Sequence, residues 1–310
     1  MDKVDVSIII VNYNTREFLK GCLASIYEKS AGFCFEIIVS DNGSKDGSIE
    51  MVKQDFPRVR LLENNANLGF GKANNRGLAV ARGRYAFYLN SDTVLLNNAV
   101  KPLLDYWEAN GEAENLGALG CNLLDREGNV GHSWSEFPEL RDTLHNHIHS
   151  AYGFTKLALM NILFGKPIPR NPPETSPAKR LGEVDDIIGA ALFLKNDEYA
   201  KFDNRFYLYC EETDLEYQLF KAGKKRILID GPEIIHFGGG TSGTARSRDI
   251  IRDCATFSAM HYAISRIYFF RKNGASAVDI WLLKMCTLII WLNPLIFAKT
   301  KKHIFRVLAA

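Results

Sequence analysis

Two apolar runs limit what this chain can fold into: Ile8–Val11, with Val6 just before it, and Tyr85–Leu89. A strand wetted on one face alternates polar and apolar residues, whereas a strand buried on both faces reads as an unbroken run. Ile37–Val39 and Val59–Leu62 are shorter runs of the same kind. Between them lie segments of helical spacing: Phe18, Leu19, Cys22, Leu23, Ile26 and Tyr27 after a capping Thr15; Ile49 and Val52 after a start at Ser44 or Asp46; and Lys72–Ala81. Strand and helix in alternation specify an α/β fold with a doubly wound, mainly parallel sheet and right-handed crossovers.

Beyond that half the pattern changes. Order weakens from Ser133 to Arg180, where Pro167, Pro169, Pro172, Pro173 and Pro177 crowd together, and a loop over one face is expected. Regular structure returns with Val184–Leu194. A helix follows from near Glu211 to a Gly223 cap, with Lys221 in its last turn, and then short strands at Ile227–Ile229 and Ile234–Ile235. From Ala245 the sequence reads as two long helices, which divides the chain into residues 1–244 and a helical extension, 245–310.

With 310 residues, 46% hydrophobic and 24% charged, the composition is that of a globular protein, and a net charge of +2 excludes a nucleic-acid binder that works by bulk charge. Cys22, Cys34, Cys121, Cys210, Cys254 and Cys286 form no C-x-x-C pair and read as buried thiols of a reducing compartment. Asp2 and Asp5 stand where a secretion signal carries positive charge, so the N-terminus reads as a first strand. Ile280–Phe297 nears the roughly 18 residues of a membrane span. Lys284 and Asn293-Pro294 interrupt that run, Trp281 and Trp291 flank it, and Lys299, Lys301, Lys302, His303 and Arg306 follow. The pattern fits a helix lying against the inner leaflet of a membrane; a packed helix of the body is the other reading.

Ligands of an open parallel sheet bind beyond the carboxyl ends of its strands. Three such exits carry small polar residues: Asn12-Tyr13-Asn14, Asp41-Asn42-Gly43-Ser44 and Asn90-Ser91-Asp92. One polar exit is a turn; three along one edge suggest a site. No G-x-G-x-x-G follows the first strand, and neither G-x-x-x-x-G-K-[ST] nor G-x-S-x-G occurs, which argues against dinucleotide, P-loop and nucleophile-elbow chemistry. What remains is carboxylates and amides, hard oxygen ligands suited to Mg2+ or Mn2+ shared with a diphosphate.

Seven segments, in order, resemble family 2 inverting glycosyltransferases of GT-A type, and among them the bacterial rhamnosyltransferase-like branch. They are SIIIVNYN (7–14), VSDNGSKDGS (39–48), NNANLGFGKANNRGL (64–78), YLNSDT (88–93), VDDIIGAALFLK (184–195), FYLYCEETDLEYQL (206–219) and IIHFGGGTSG (234–243). The resemblance implies a nucleotide-binding half at about 1–122 and an acceptor-binding half at about 123–244. It implies a nucleotide-sugar site of Asn12, Asn14, Asp41, Asn67, Gly69, Phe70, Asn74, Asn75, Asn90, Ser91 and Asp92. Asn90-Ser91-Asp92 falls where the family carries D-x-D, with an amide in place of the first carboxylate, so Asp92, Asn90 and His236 are the implied metal ligands. Glu211, Glu212 and Asp214 match the acidic motif that supplies the catalytic base, with Glu212 the base by position. Asp185, Gly189 and Ala190 match the segment beneath the acceptor, and Gly238–Gly243 could fold over the donor phosphates; Arg246 and Arg248 either add charge there or, the reading preferred, lie on a solvated helix face.

The expected reaction is sugar transfer, rhamnose among the candidates, from a dTDP- or UDP-sugar to a hydroxyl of a glycan or polyprenyl-linked acceptor in cell-surface polysaccharide synthesis. The expected place is the cytoplasmic face of the inner membrane, and a homodimer is compatible with the sequence. A sugar nucleotidyltransferase is the rival enzyme, though it wants a basic glycine-rich loop where Asn12-Tyr13-Asn14-Thr15 stands. A non-catalytic sugar-nucleotide-binding partner is the other rival. His145, His147 and His149 alternate and admit a metal-site reading, without a cysteine nearby to support it.

Overall fold

Ile8 and Ile10 enter the core on one side of the sheet and Ile9 the core on the other, and all three are fully buried. An unbroken apolar run means just this: a pleated strand with a helical layer over each face. The computed structural model describes residues 3–165, 179–238 and 256–310. Strand β1 (Val6–Asn12) pairs in parallel with β2 (Phe35–Asp41) and β4 (Tyr85–Asn90), and β2 pairs in parallel with β3 (Arg60–Glu63). Strand β10 (Ala191–Lys195) runs antiparallel between β4 and β6 (Leu116–Leu124); β11 (Lys225–His236) is parallel to β6 and antiparallel to β5 (Thr93–Leu95). The order is β3-β2-β1-β4-β10-β6-β11-β5, with β8 (Gly182–Glu183) also on β11 and a separate ribbon of β7 (Trp134–Ser135) and β9 (Asp186–Ile187).

Helices α1 (Arg16–Lys29), α2 (Ser48–Asp55) and α4 (Val100–Asn110) cover one face, where Leu19, Leu23, Ile26, Val52 and Leu103 join Ile10, Val39 and Phe87. Helices α3 (Phe70–Leu78) and α6 (Glu211–Lys221) cover the other, where Leu215 and Leu219 join Ile9, Tyr88 and Leu192. Each such fully buried side chain contributes about 1.5–3 kcal/mol. The doubly wound, mainly parallel sheet is therefore as expected.

Several local expectations are corrected. Thr15 precedes α1 but does not cap it; its hydroxyl donates to Asn12 Oδ1 (2.6 Å) and lies 2.9 Å from Ser91 Oγ. Helix α2 starts at Ser48 behind the left-handed Gly47 (φ +82°), not at Ser44 or Asp46, and α3 stops at Leu78. Ile227–Ile229 and Ile234–Ile235 belong to one strand, β11, whose pairing with β6 slips between Ile229 and Ile234, where Gly231-Pro232 interrupts the ladder. The largest correction falls within 133–180. Instead of a loop, residues Leu140–Phe164 form a 25-residue helix, α5. The prolines at 167–177 lie outside the described residues, as do Gly239–Gly243, Arg246 and Arg248.

The chain divides into two compact units: residues 1–137, 175–207 and 211–241, which hold the sheet, and residues 138–174, 208–210 and 242–310. In the second unit α5 packs against α8 (Ala277–Trp291), which also meets α7 (Phe257–Lys272) and α10 (Ile304–Ala309); the short α9 (Phe297–Thr300) precedes α10. The two long helices expected after Ala245 are α7 and α8. Trp291 is buried, while Trp281 is 57% exposed. No described helix is long and apolar enough to cross a membrane. The cysteines described are free, and burial pushes the thiols of Cys22 and Cys121 up to about 12.

Candidate active site

Parallel register places Asn12 opposite Asp41 and Val11 opposite Asn90, so the three polar exits lie side by side on one edge. The first two form one hydrogen-bonded unit. Asn12 Nδ2 donates to Asp41 Oδ2 (2.7 Å) and Ser44 Oγ (3.0 Å), and Asp41 Oδ1 accepts from the amides of Gly43 (3.0 Å) and Ser44 (2.8 Å). Asn14, at φ +55°, donates its backbone N–H to Ser44 Oγ (2.9 Å) and accepts from the Lys45 amide (2.8 Å). Asn tolerates that left-handed backbone better than most residues. Asp41 is buried with both oxygens bonded, so it builds this edge before any ligand arrives.

The 67–75 segment closes one side. Asn67 Oδ1 accepts from the Gly69 amide (3.0 Å) and faces Asn42 Nδ2 (3.4 Å), which also reaches Gly69 O (3.3 Å). Gly69 has φ +86°, and a Cβ there would lie 2.1 Å from Tyr207 O. Only glycine lets the chain come close enough for Phe70 N to donate to Tyr207 O (3.1 Å). Asn74 Nδ2 donates back to Phe70 O (3.3 Å). Asn75 donates to Phe202 O (2.7 Å) and Asn204 Oδ1 (2.8 Å) and accepts from Phe202 N (2.9 Å). The amides of Asn74 and Asn75 thus hold the fold together.

The third exit delivers Asp92. His236, opposite Thr93 across the β5–β11 pairing, brings Nε2 to 3.4 Å from Asp92 Oδ1 and 3.4 Å from Asn90 Nδ2. The implied ligands therefore converge: one carboxylate, one imidazole, one amide. That set fits a divalent cation held in large part by substrate phosphates, since Mg2+ and Mn2+ need few protein ligands there. It does not fit an all-protein cage, and among the described residues no three His, Cys, Asp or Glu side chains gather as one. His147 instead bonds Thr143 O (2.9 Å), and the His145 and His149 rings lie 4.3 Å apart, so the histidine run of α5 gathers no such set either.

The acids occupy the first turns of α6, behind Tyr209 and Cys210, both at positive φ (69° and 61°). Two successive non-glycine residues there store backbone strain at the point where the helix start is aimed. Glu211 is buried, and a Cβ on Gly71 of α3 would lie 3.4 Å from its Cβ. Glu212 keeps part of its surface exposed and faces Gly189, where an added Cβ would meet its Cβ at 3.3 Å. The next residue, Ala190, accepts a hydrogen bond at its carbonyl from Asn90 N (3.0 Å). Two consecutive residues thus join Glu212 to the Asn90 exit. Asp214 is buried, with Gln218 Nε2 3.4 Å from its Oδ1. Asp185 turns elsewhere: its carboxylate accepts from Phe137 N (3.2 Å) and sits 4.0 Å from Arg226.

Sequence reasoning missed two further acids. Asp186 Oδ2 accepts from Ser135 Oγ (3.0 Å) and Thr213 Oγ1 (2.7 Å), and Glu216 Oε2 accepts from Ile187 N (2.9 Å). They tie β7 and β9 to α6. Asp186 Oδ1, Glu211 Oε2, Glu212 Oε2 and Glu216 Oε1 are all buried without a hydrogen bond. Burial, then the Glu212 charge, pushes Asp186 up to about 7. Burial is the first cause for Glu211, Glu212 and Glu216 too, and it holds all three above the ordinary carboxylate range. The spacing of Glu212 and Glu216, one helical turn apart, was the signal available. A cavity of about 780 Å3 lined by Tyr85, Trp107 and Lys224 lies at the opposite edge, where β4 and β6 begin.

A mainly parallel sheet with its amides and aspartates gathered at the strand exits, beside a helix start rich in buried carboxylates, is the plan of a GT-A-type glycosyltransferase. The chain belongs to glycosyl transferase family 2, whose profile matches residues 7–163. A Mycobacterium tuberculosis (strain ATCC 25618 / H37Rv) N-acetylglucosaminyl-diphospho-decaprenol L-rhamnosyltransferase is 27% identical over 288 residues, 86% of this chain and 84% of that protein. Chondroitin synthase of Escherichia coli is 30% identical over 135 residues, 42% of this chain and 19% of that one. Two solved structures share the fold. The mannosyltransferase PcManGT of Pyrobaculum calidifontis, in complex with GDP-Man and Mn2+, has a TM-score of 0.51 at 15% identity and covers 100% of this chain and 76% of its own. GalNAc-T7 with UDP, GalNAc and Mn2+ has a TM-score of 0.53 at 15% identity, covering 95% and 59%.

Proposed function

We propose that this glycosyltransferase moves a sugar, with inversion, from a dTDP- or UDP-sugar to a hydroxyl of a lipid-linked glycan in cell-surface polysaccharide synthesis, at the inner face of the cytoplasmic membrane. Rhamnose is the proposed sugar, and the likeness, over 86% of this chain, to a rhamnosyltransferase named for a decaprenol-linked acceptor supports both choices. The carrying observation is the Glu212–Gly189–Ala190–Asn90 connection, which sets a proton-accepting carboxylate beside the edge proposed for the diphosphate.

In this reading Asn12, Asn14, Asp41 and the 67–75 segment form the nucleotide wall, and Gly189-Ala190 floors the acceptor. Asp92, with Asn90 and His236, would hold Mg2+ or Mn2+, which offsets charge on the leaving diphosphate when bound. Glu212 takes the proton of the acceptor hydroxyl as that oxygen attacks the anomeric carbon from behind; the bond to the diphosphate breaks, and nucleoside diphosphate leaves. A raised carboxyl suits a group that must accept a proton near neutrality. Partial exposure separates Glu212 from the enclosed Glu211 and Asp214.

The test is transfer from dTDP-rhamnose and UDP-sugars to a polyprenyl-diphosphate-linked acceptor with Mn2+ or Mg2+, with the anomeric configuration of the product read by NMR. An inverted product supports the proposal. Retention of configuration, or formation of a nucleotide sugar from a sugar 1-phosphate and a nucleoside triphosphate, overturns it.

A further inference from the structure

Helix α5 carries its large apolar residues on the wrong side for a soluble helix. Ile148, Tyr152, Leu159, Ile162 and Leu163 are all exposed, Tyr152 by 70% and Leu163 by 66%. At about 100° per residue they fall within a single stripe roughly 100° wide. The residues of α5 that are buried are small: Thr143, Ala151 and Ala158. Its partner α8 buries Ile280, Leu283, Ile290 and Trp291, yet its outer side is apolar too. Val278, Trp281, Ile289 and Leu292, which follows its last residue, are exposed and fall on a second stripe roughly 80° wide. Near the C-terminus Phe305 is 79% exposed, with Leu308 and Phe297 also uncovered. Isolated apolar residues on a surface need no explanation, but two stripes on helices that pack together do.

Charge selects the occupant. Between residues 256 and 310 the only acid is Asp279, whereas Arg266, Arg271, Lys272, Lys284, Lys299, Lys301, Lys302 and Arg306 are all basic. Lys299, Lys301, Lys302 and Arg306 are exposed beside the apolar residues of the C-terminal turns, and Lys156 lies at the margin of the α5 stripe. A second copy docked on residues 256–310 would bring like charges together. An anionic lipid surface would neutralise them while taking up the apolar stripes, and Trp281 is the residue type that settles at such a boundary.

We infer that α5 and α8 together form a docking face for an anionic lipid bilayer, with the 140–164 helix supplying half of the contact. This face deepens the proposed action on a lipid-linked acceptor but stands on the two helices alone.

The test uses the full chain and vesicles of phosphatidylcholine with or without phosphatidylglycerol, read by co-sedimentation. Binding is expected to phosphatidylglycerol vesicles, to fall with added salt, and to be weak on phosphatidylcholine alone. The triple variant Ile148→Ser, Leu159→Ser, Leu163→Ser should lose about tenfold or more of vesicle affinity. Because those side chains are exposed, its melting temperature should stay within a degree or two. The double variant Trp281→Ser, Ile289→Ser should do the same through α8. Full vesicle binding by the α5 variant overturns the inference. So does a chain that ignores vesicles but sediments as a dimer, with either variant monomeric. Hydrolysis of a dTDP- or UDP-sugar by the same preparations reports separately on the proposed chemistry, so loss of one leaves the other intact.

Discussion

The strand-exit edge and the start of α6 are neighbours with opposite electrostatics. At the edge, Asn12, Asp41 and Ser44 satisfy one another and the backbone, and Asp41 is buried with both oxygens bonded. At the helix, four carboxylates each bury an oxygen with no hydrogen bond, and all four are held above the ordinary carboxylate range. A satisfied network is rigid and holds a shape; an unsatisfied one is costly and poised to take a proton. The difference is in keeping with the proposed division, recognition at the edge and proton transfer at the helix. It predicts that substitutions in the two places fail in different ways.

Glu212→Gln should show the largest effect. The amide keeps the size of the side chain and its packing against Gly189 but cannot take the acceptor proton. We expect kcat to fall by roughly 10²–10⁴-fold, with donor Kd and melting temperature nearly unchanged. A normal kcat would move the base to Glu211 or Asp214. Asp92→Ala should fail in the other way. It removes the one carboxylate of the Asn90, Asp92, His236 set, so donor affinity measured by calorimetry with Mn2+ should drop by about 10–100-fold. Unchanged affinity would place the diphosphate elsewhere.

The edge was legible in the sequence because its signals are local: an apolar run, then oxygen-bearing residues, three times over. The two-layered sheet was legible for the same reason, since Ile8, Ile9 and Ile10 leave no polar face. Helix α5 was not. Its exposed face is apolar and its buried face is small, the inverse of the usual amphipathic pattern, and the prolines behind it suggested a loop. Thr15 read as a cap because the residue type fits, and only the third dimension shows its hydroxyl bonded to Asn12 beside Ser91. Asp186 and Glu216, about thirty residues apart, meet only when β9 packs on α6, so no local pattern joins them.

Asp41→Ala should therefore act on stability before it acts on affinity. It takes from the Asn12 amide one of its two acceptors and from the backbone N–H groups of Gly43 and Ser44 the carboxylate that accepts them. Leaving buried donors unpaired costs about 1–3 kcal/mol, readable by chemical denaturation without any ligand. Should Asp41→Ala be as stable as the parent and lose only donor affinity, the edge would be a contact surface and not a self-sufficient scaffold.

The subtlest difference lies within the acid group. The fold holds Asp186 up to about 7 and Glu216 well above its usual range, so the folded chain keeps protons that the unfolded chain releases near pH 4. Stability from these groups is complete below the unfolded carboxylate pKa and is lost as pH climbs toward the folded value, here about 7 for Asp186. Each retained proton gives a slope of about 1.4 kcal/mol per pH unit across that window. In Glu216→Gln the amide oxygen can still accept from Ile187 N, while its N–H group can donate to the unpaired Asp186 Oδ1. One titrating group is gone, and with it the proton that the fold keeps on Glu216. Unfolding followed from pH 4 to pH 8 should show a shallower decline in the variant, with little difference at pH 4 and the variant more stable at pH 8. Asp186, Glu211 and Glu212 remain to set the residual slope. A parent and variant that decline in parallel would mean that Glu216 gives up its proton as readily in the fold as out of it. The helix would then be no more poised than the edge.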